Sequence, residues 1–294
     1  MRRGTMGRAG AGSTQWKRTI ARAGRIRDDG GMAMALEGTS DDGARSLIDR
    51  AFAILGTFQG GRVRQSLSDI SRRTGLPIAT CHRIVKRLTE WGALERDGDG
   101  RYNIGLRLWE TASLAPRSVG LQRLARPYLL DLYETTGYAA HLAIREGLEL
   151  VSIELLQSPR RQAPRPRVGN RYPLHATAIG LVLLAHAPEE VREEVLSRPL
   201  TAFTSRTYTD PVLLERLLAD IRRSGYAVSD RQVDNVHISV AAPVYAADGS
   251  VVAACSLALT EQDVDGKNMI HLVRLTATSI SRQLAAAGYA RPET

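Results

Sequence analysis

The chain has 294 residues, 43% of them apolar and 24% charged, with a formal net charge of +9. That length exceeds what one small core organises, so two domains are expected, and no apolar run approaches the roughly 18 residues that a bilayer span requires. Only two cysteines occur, Cys81 and Cys255, each in an apolar stretch without a second Cys or His at metal-ligand spacing, which excludes a disulfide framework and a zinc ribbon and fits a reducing cytoplasm.

The charge is unevenly placed. Residues 1–27 hold eight Lys or Arg and no acid, residues 28–43 hold five acids, residues 44–107 carry a net +6, and the remainder is neutral. A polyanion is therefore expected to dock on residues 44–107. Residues 1–43 are rich in Gly, Ala, Ser, Thr and Arg without periodicity and read as a disordered basic tail. Gly7, Gly10 and Gly12 lack the strand and the Gly-Lys-Ser/Thr of a phosphate loop. Met1 to Gly12 also lacks the apolar core of a signal peptide, and translation is expected to start at Met32 or Met34. If the tail is translated, deleting residues 1–31 should flatten the plot of log affinity for DNA against log salt without changing the preferred sequence, because such an arm adds phosphate contacts only.

From Ser46 the apolar residues Leu47, Ala51, Ile54, Leu55 and Phe58 recur at helical spacing, ended by Gly60 and Gly61. Ser68 is positioned to cap a short second helix that closes at Thr74 and Gly75, and Pro77 opens a third that runs to Trp91. At 100° per residue, Cys81, Ile84, Val85 and Leu88 form one face of this third helix. Ala79, Arg83, Lys86 and Glu90 centre on the other, flanked by Thr80, His82 and Arg87. Two short strands follow around Asp97-Gly98-Asp99-Gly100, with Arg96 and Arg101 beside the tip, where they can meet phosphates or a minor groove. Helix, helix, basic helix and basic hairpin together predict a winged helix-turn-helix over residues 44–107 that binds a double-stranded DNA operator.

A linker helix is expected over residues 108–118, and a second domain over 119–290. Leu121, Leu124, Leu129, Leu130 and Leu132 suit an amphipathic helix ending at Gly137, before strands over 138–145 and 150–156 and a Pro- and Arg-rich loop over 158–168, where Arg165 and Arg167 read as solvated charges. Helices are expected over 176–186, 188–197 and 211–224, strands over 239–245 and 251–259, and a last helix over 268–287. The class is α+β, with an antiparallel sheet of the kind found in small-molecule sensing domains.

The order of these fragments resembles the IclR-type transcriptional regulators, over about residues 44–290. In the first domain the resemblance rests on Thr74-Gly75-Leu76-Pro77, Thr80, His82-Arg83 and the run from Glu95 to Tyr102. In the second it rests on Val168-Gly169, Pro173 to Ala178, Gly180, Gly225-Tyr226-Ala227, Ala241-Ala242-Pro243-Val244 and Asp248-Gly249. The resemblance implies a DNA-binding homodimer or homotetramer without a cofactor, its GAF-like C-terminal domain binding a small effector, commonly an organic acid. It places the effector against Ala178, Ile179, Ser239 and Ser256. His175 serves either a structural hydrogen bond or effector contact, and only remotely a metal. Leu181 stands where the family has a basic residue, and Ser229, Gln232 and Val236 where it has Asp, Glu and Gly, with Asp230 one step from the missing carboxylate.

A repressor is the expected sense of regulation. The alternatives are an activator of the same family, or a sensor acting through protein partners. No Gly-x-Ser-x-Gly elbow, His-Glu-x-x-His pair or Walker loop occurs, so no enzyme is expected.

Overall fold

A computed structural model describes residues 46–58, 62–157, 167–260 and 268–290. The tail expected over 1–43, with Met32 and Met34, and Arg165 lie outside them. The described residues divide into two compact units, parted between Gly120 and Leu121.

The first unit contains α1 (Leu47–Gly56), α2 (Leu67–Thr74), α3 (Ile78–Trp91), β1 (Leu94–Arg96), β2 (Tyr102–Ile104) and α4 (Leu106–Ala112). Helices α1 and α2 each start with a capping box, in which Ser46 and Ser66 accept from the backbone N–H of Asp49 and Asp69, and those carboxylates answer the serine N–H. The cap of α2 is thus Ser66 and not Ser68, because only a residue three before Asp69 permits the reciprocal pair. Ile54, Ile70, Cys81, Ile84, Val85, Leu94 and Tyr102 make the core. Leu47 does not join it and is 63% exposed: the first turn of α1 overhangs a core that reaches only Ala51, Ile54, Leu55 and Phe58.

The stretch expected as a linker spans the end of one helix and the start of the next, with the break next to Pro116. Helix α4 ends at Ala112, and α5 (Pro116–Thr136) starts at a proline, which suits a first helical turn because it has no N–H to leave unpaired.

The second unit is a three-layer arrangement around a six-stranded antiparallel sheet. Its strands are β3 (Ala139–Glu146), β4 (Glu149–Leu156), β5 (Arg171–Pro173), β6 (Ala227–Asp230), β7 (His237–Tyr245) and β8 (Val251–Thr260), in the spatial order β5-β4-β3-β8-β7-β6. On one side lie α5 and α9 (Met269–Ala286), against Leu142, Val240, Val244, Cys255, Leu257 and Leu259. Burial there pushes the Cys255 thiol up to about 12, which makes it inert. On the other side lie α6 (Ala178–Ala185), α7 (Glu189–Ser197) and α8 (Pro211–Ser224), against Ala143, Leu150, Ala227, Ala241 and Ala254.

Along α5 the buried stripe is Leu121, Ala125, Leu129 and Leu132, whereas Leu130, turned 100° from Leu129, is 39% exposed. Helix α6 begins at Ala178 because Thr177 is its N-cap, accepting from the Gly180 N–H at 2.9 Å.

Candidate functional site

Two sites are built here, one in each unit. In the first, the turn between α2 and α3 is fixed from several directions. Gly75 adopts φ +71°, the left-handed conformation that glycine tolerates. The hydroxyl of Ser71 donates to the Leu76 carbonyl at 2.7 Å, and that of Thr74 to Ile70 at 2.8 Å. This brace sets the angle at which α3 leaves the core.

The packed face of α3 is the expected one, with Cys81, Ile84 and Val85 buried and Leu88 partly so. Ala79, His82, Arg83, Lys86 and Arg87 are exposed, and Thr80 is half-buried at the flank. No acid occupies the first turn and no side chain caps it, so the positive end of the helix stays open to an anion. Glu90 holds two of the cations, Arg87 at 3.0 Å and Lys86 at 3.9 Å. Arg83 has no ion-pair or hydrogen-bond partner among the described residues. Such exposed pairs contribute little and exchange readily for a phosphate.

The wing is a tight hairpin with Leu94 opposite Ile104 and Arg96 opposite Tyr102, and Gln65 adds a bridge to Tyr102 through bonds of 3.0 and 2.8 Å. Asp97 closes the tip by accepting from the N–H groups of Asp99 and Arg101, and its other oxygen takes Arg64. Burial pushes the Asp97 carboxyl up, but the bonds from Arg64 and Arg101 outweigh it and hold the group below its ordinary value. Arg64, which also meets Asp99 at 3.0 Å, lies 33 residues from Asp97, so local sequence patterns do not show it. Of the expected tip arginines, Arg96 lies over the Tyr102 ring, 5.8 Å from its centroid, while Arg101 is exposed.

In the second unit, the face of the sheet beneath α6 collects the other set. Helix α6 contacts β3, β4, β6, β7 and β8. Ser239 pairs with Ser229 on β6, and Ser256 pairs with Ala241 on β7. Directly opposed residues share a face, and Ala241 and Ala227 belong to the α6 side, so Ser229, Ser239 and Ser256 all project there.

The hydroxyl of Ser229 donates to the Ala176 carbonyl at 3.0 Å and ties the segment before α6 to β6. Ala178 and Ile179 are buried first-turn residues, whose N–H groups have no partner within the helix. Leu181 is fully buried, consistent with an apolar residue in place of a basic one.

His175 is buried, with Nε2–H donating to the Thr201 carbonyl at 3.0 Å and its ring stacked on Phe203. Burial lowers its pKa. Asp230, one step from the place of the missing carboxylate, is turned by strand alternation to the opposite face from Ser229, and Arg206 and Arg231 hold it.

Comparison with known proteins gives a consistent picture. A model of the IclR helix-turn-helix domain matches residues 47–98, and one of the bacterial transcriptional regulator IclR C-terminal domain matches residues 114–282. The chain is 32% identical to the HTH-type transcriptional regulator XynR of Escherichia coli over 220 residues, 74% of this chain and 87% of that one. It is 32% identical over 256 residues to the HTH-type transcriptional repressor AllR of the same species, covering 84% and 93%. Among solved structures, an IclR homologue from Microbacterium hydrocarbonoxydans complexed with 4-hydroxybenzoate superposes with a TM-score of 0.76 at 36% identity, covering 81% of this chain and 99% of that one.

Proposed function

The chain belongs to the IclR family of DNA-binding transcriptional regulators, and from that membership we propose that it is a repressor released from its operator by a small organic acid. In this reading residues 44–107 bind DNA, residues 108–118 link, and residues 119–290 sense the acid. The open face of α3 carries the proposal. Ala79 and Thr80 are small enough to bring the helix start close to base edges, and His82, Arg83, Lys86 and Arg87 present donors for bases and phosphates. Arg96 and Arg101 would follow the backbone from the wing.

On the effector side, the free N–H groups of Ala178 and Ile179 with the hydroxyls of Ser239 and Ser256 can hold a carboxylate without a buried counter-charge. His175 braces the approach to α6. The ligand of the Microbacterium homologue favours a hydroxylated ring acid. The protein would act in the cytoplasm as a homodimer or homotetramer, without cofactor or catalytic activity. Leu47, Ile48 and Phe52 of α1, each more than 60% exposed, support a partner surface.

A mobility-shift titration on the DNA upstream of its gene, with small acids chosen by thermal shift, tests this reading. Operator binding should weaken by about 5- to 150-fold on addition of the acid, the usual range of such couplings. Ser239→Trp should remove that response. A Ser239→Trp protein that still responds would move the site off this face, and absence of binding to any upstream DNA would remove the operator reading itself.

A further inference from the structure

The sheet face beneath α6 is floored by short side chains, with Ala143, Ala227, Ala241 and Ala254 buried there. His141 is a large polar residue on this face. Its cross-strand partner on β8 is Ser256, whose partner on β7 is Ala241, so the imidazole stands on this same face. Nε2 lies 2.7 Å from the hydroxyl of Ser152. That serine is held by its own backbone, which donates to Asn170 at 2.9 Å and accepts from Gly169 at 2.7 Å.

Nδ1 has no hydrogen-bond partner among the described residues. Desolvation pulls the ring down to about 4, so it is neutral near pH 7, yet part of the residue's surface stays accessible. A group that is deep, neutral, oriented and still accessible fits the wall of a ligand site better than a packed core.

We propose that His141 is a specificity-determining residue of the effector site, its Nδ1 pairing with a neutral hydroxyl or carbonyl on the end of the ligand remote from the carboxylate. The inference rests on the acid-binding reading above and narrows it to a compact hydroxy- or keto-acid.

A neutral imidazole donates from one nitrogen and accepts at the other, and the Ser152 hydroxyl serves either role, so Nδ1 can meet a hydroxyl in whichever sense the ligand needs. A plain acid would leave Nδ1 unpaired in a desolvated place. A diacid would bury a second charge against an uncharged ring. Ser239 and His141 stand two strands apart and two residues out of line, about 12 Å between backbones with Ser256 on the strand between them, so their side chains can reach toward each other and engage opposite ends of one compact molecule.

Calorimetric titration of the full chain with matched acids tests the inference: benzoate and 4-hydroxybenzoate, propionate and 3-hydroxypropionate, and terephthalate as the diacid. In the unmodified protein the hydroxylated member of at least one pair should bind about five- to tenfold more tightly than its plain partner, the value of one hydrogen bond, and terephthalate should bind more weakly than 4-hydroxybenzoate. His141→Phe should bring the ratio to near one, and His141→Asn, which keeps an amide, should retain part of it. Should His141→Phe fail to fold, Ser152→Ala, which frees the ring from its orienting bond, should lower the ratio in the same direction. A preference that survives in His141→Phe, or in Ser152→Ala where that stands in for it, overturns the role of His141, as does a plain acid or diacid that binds the unmodified protein as tightly. Acids that bind without a pairwise difference leave the acid reading standing, whereas no binding by any of the five overturns both.

Discussion

Arg83→Ala is expected to lower operator affinity by about 1 to 3 kcal/mol per half-site, more than any other single change on α3. The residue sits midway along the exposed face with no internal partner among the described residues, so its guanidinium is available to DNA without first leaving another bond. Lys86 and Arg87 both have Glu90 to leave, so Lys86→Ala should cost less. If the protein binds as a dimer, both copies change together and the loss doubles to about 2 to 6 kcal/mol, roughly thirtyfold or more in Kd. Titration against an operator mutated one base pair at a time distinguishes the chemistry. A base contact confines the loss to one position, while a phosphate contact spreads it evenly and reduces the salt slope by about one. Unchanged affinity for both Arg83→Ala and Lys86→Ala would show that α3 is not the reading helix.

The second large effect is expected at Gly180. A Cβ there would stand 2.5 Å from the Leu174 carbonyl oxygen and 2.8 Å from the carbonyl carbon and Cα, so the strand end before α6 and the helix itself would have to separate. Gly180→Ala should cost about 1 to 3 kcal/mol, the range for overpacking, and lower the thermal midpoint by about 2 to 4 °C for each of those. The damage would also be local. Moving this segment pulls the Ala176 carbonyl from Ser229 and shifts the N–H groups of Ala178 and Ile179, so the acid response should fall further than stability alone explains. Gly56→Ala, which meets nothing within 4 Å and has no positive φ, serves as the control and should leave the melting curve in place. A Gly180→Ala protein that melts and responds normally would show that α6 can shift without consequence.

The order of elements was legible because their signals are local. Asp210 before Pro211 and Gly225 after Ser224 mark the ends of α8, and Asp248-Gly249 marks the β7–β8 turn. What escaped depends on partners distant in the chain. Strand β6 is four residues long and follows Gly225 with no apolar alternation; pairing with β7 makes it a strand. Strand β5 owes its three residues to β4 in the same way. The capping of α2 by Ser66 was readable in principle from Ser-x-x-Asp spacing, which Ser68 does not satisfy. In the candidate sites, the helical wheel places the cations of α3 correctly. It says nothing of Arg64 at the wing or His141 beneath α6, because neither lies on a patterned face within its own segment. Polarity on a central strand was the one available signal for His141, and the pairing with Ser152 across a bulge is what gives it meaning.

The two faces of the sheet also differ in how freely they can vary. Large aliphatic residues such as Leu142, Val240, Val244 and Leu257 interlock with α5 and α9 on one side, where loss of a single methylene is felt. Beneath α6 the same strands offer mostly alanine and serine, with His141 as a large polar group among them. Because neighbouring residues on a strand point to opposite sides, an exchange at Ala241 or Ala254 alters what the face proposed to hold the effector can admit while leaving the interlocked side untouched. Substitutions on opposite sides that share no partners combine additively. Descendants of this chain can therefore acquire a new signal molecule one small residue at a time, without first finding a new way to fold.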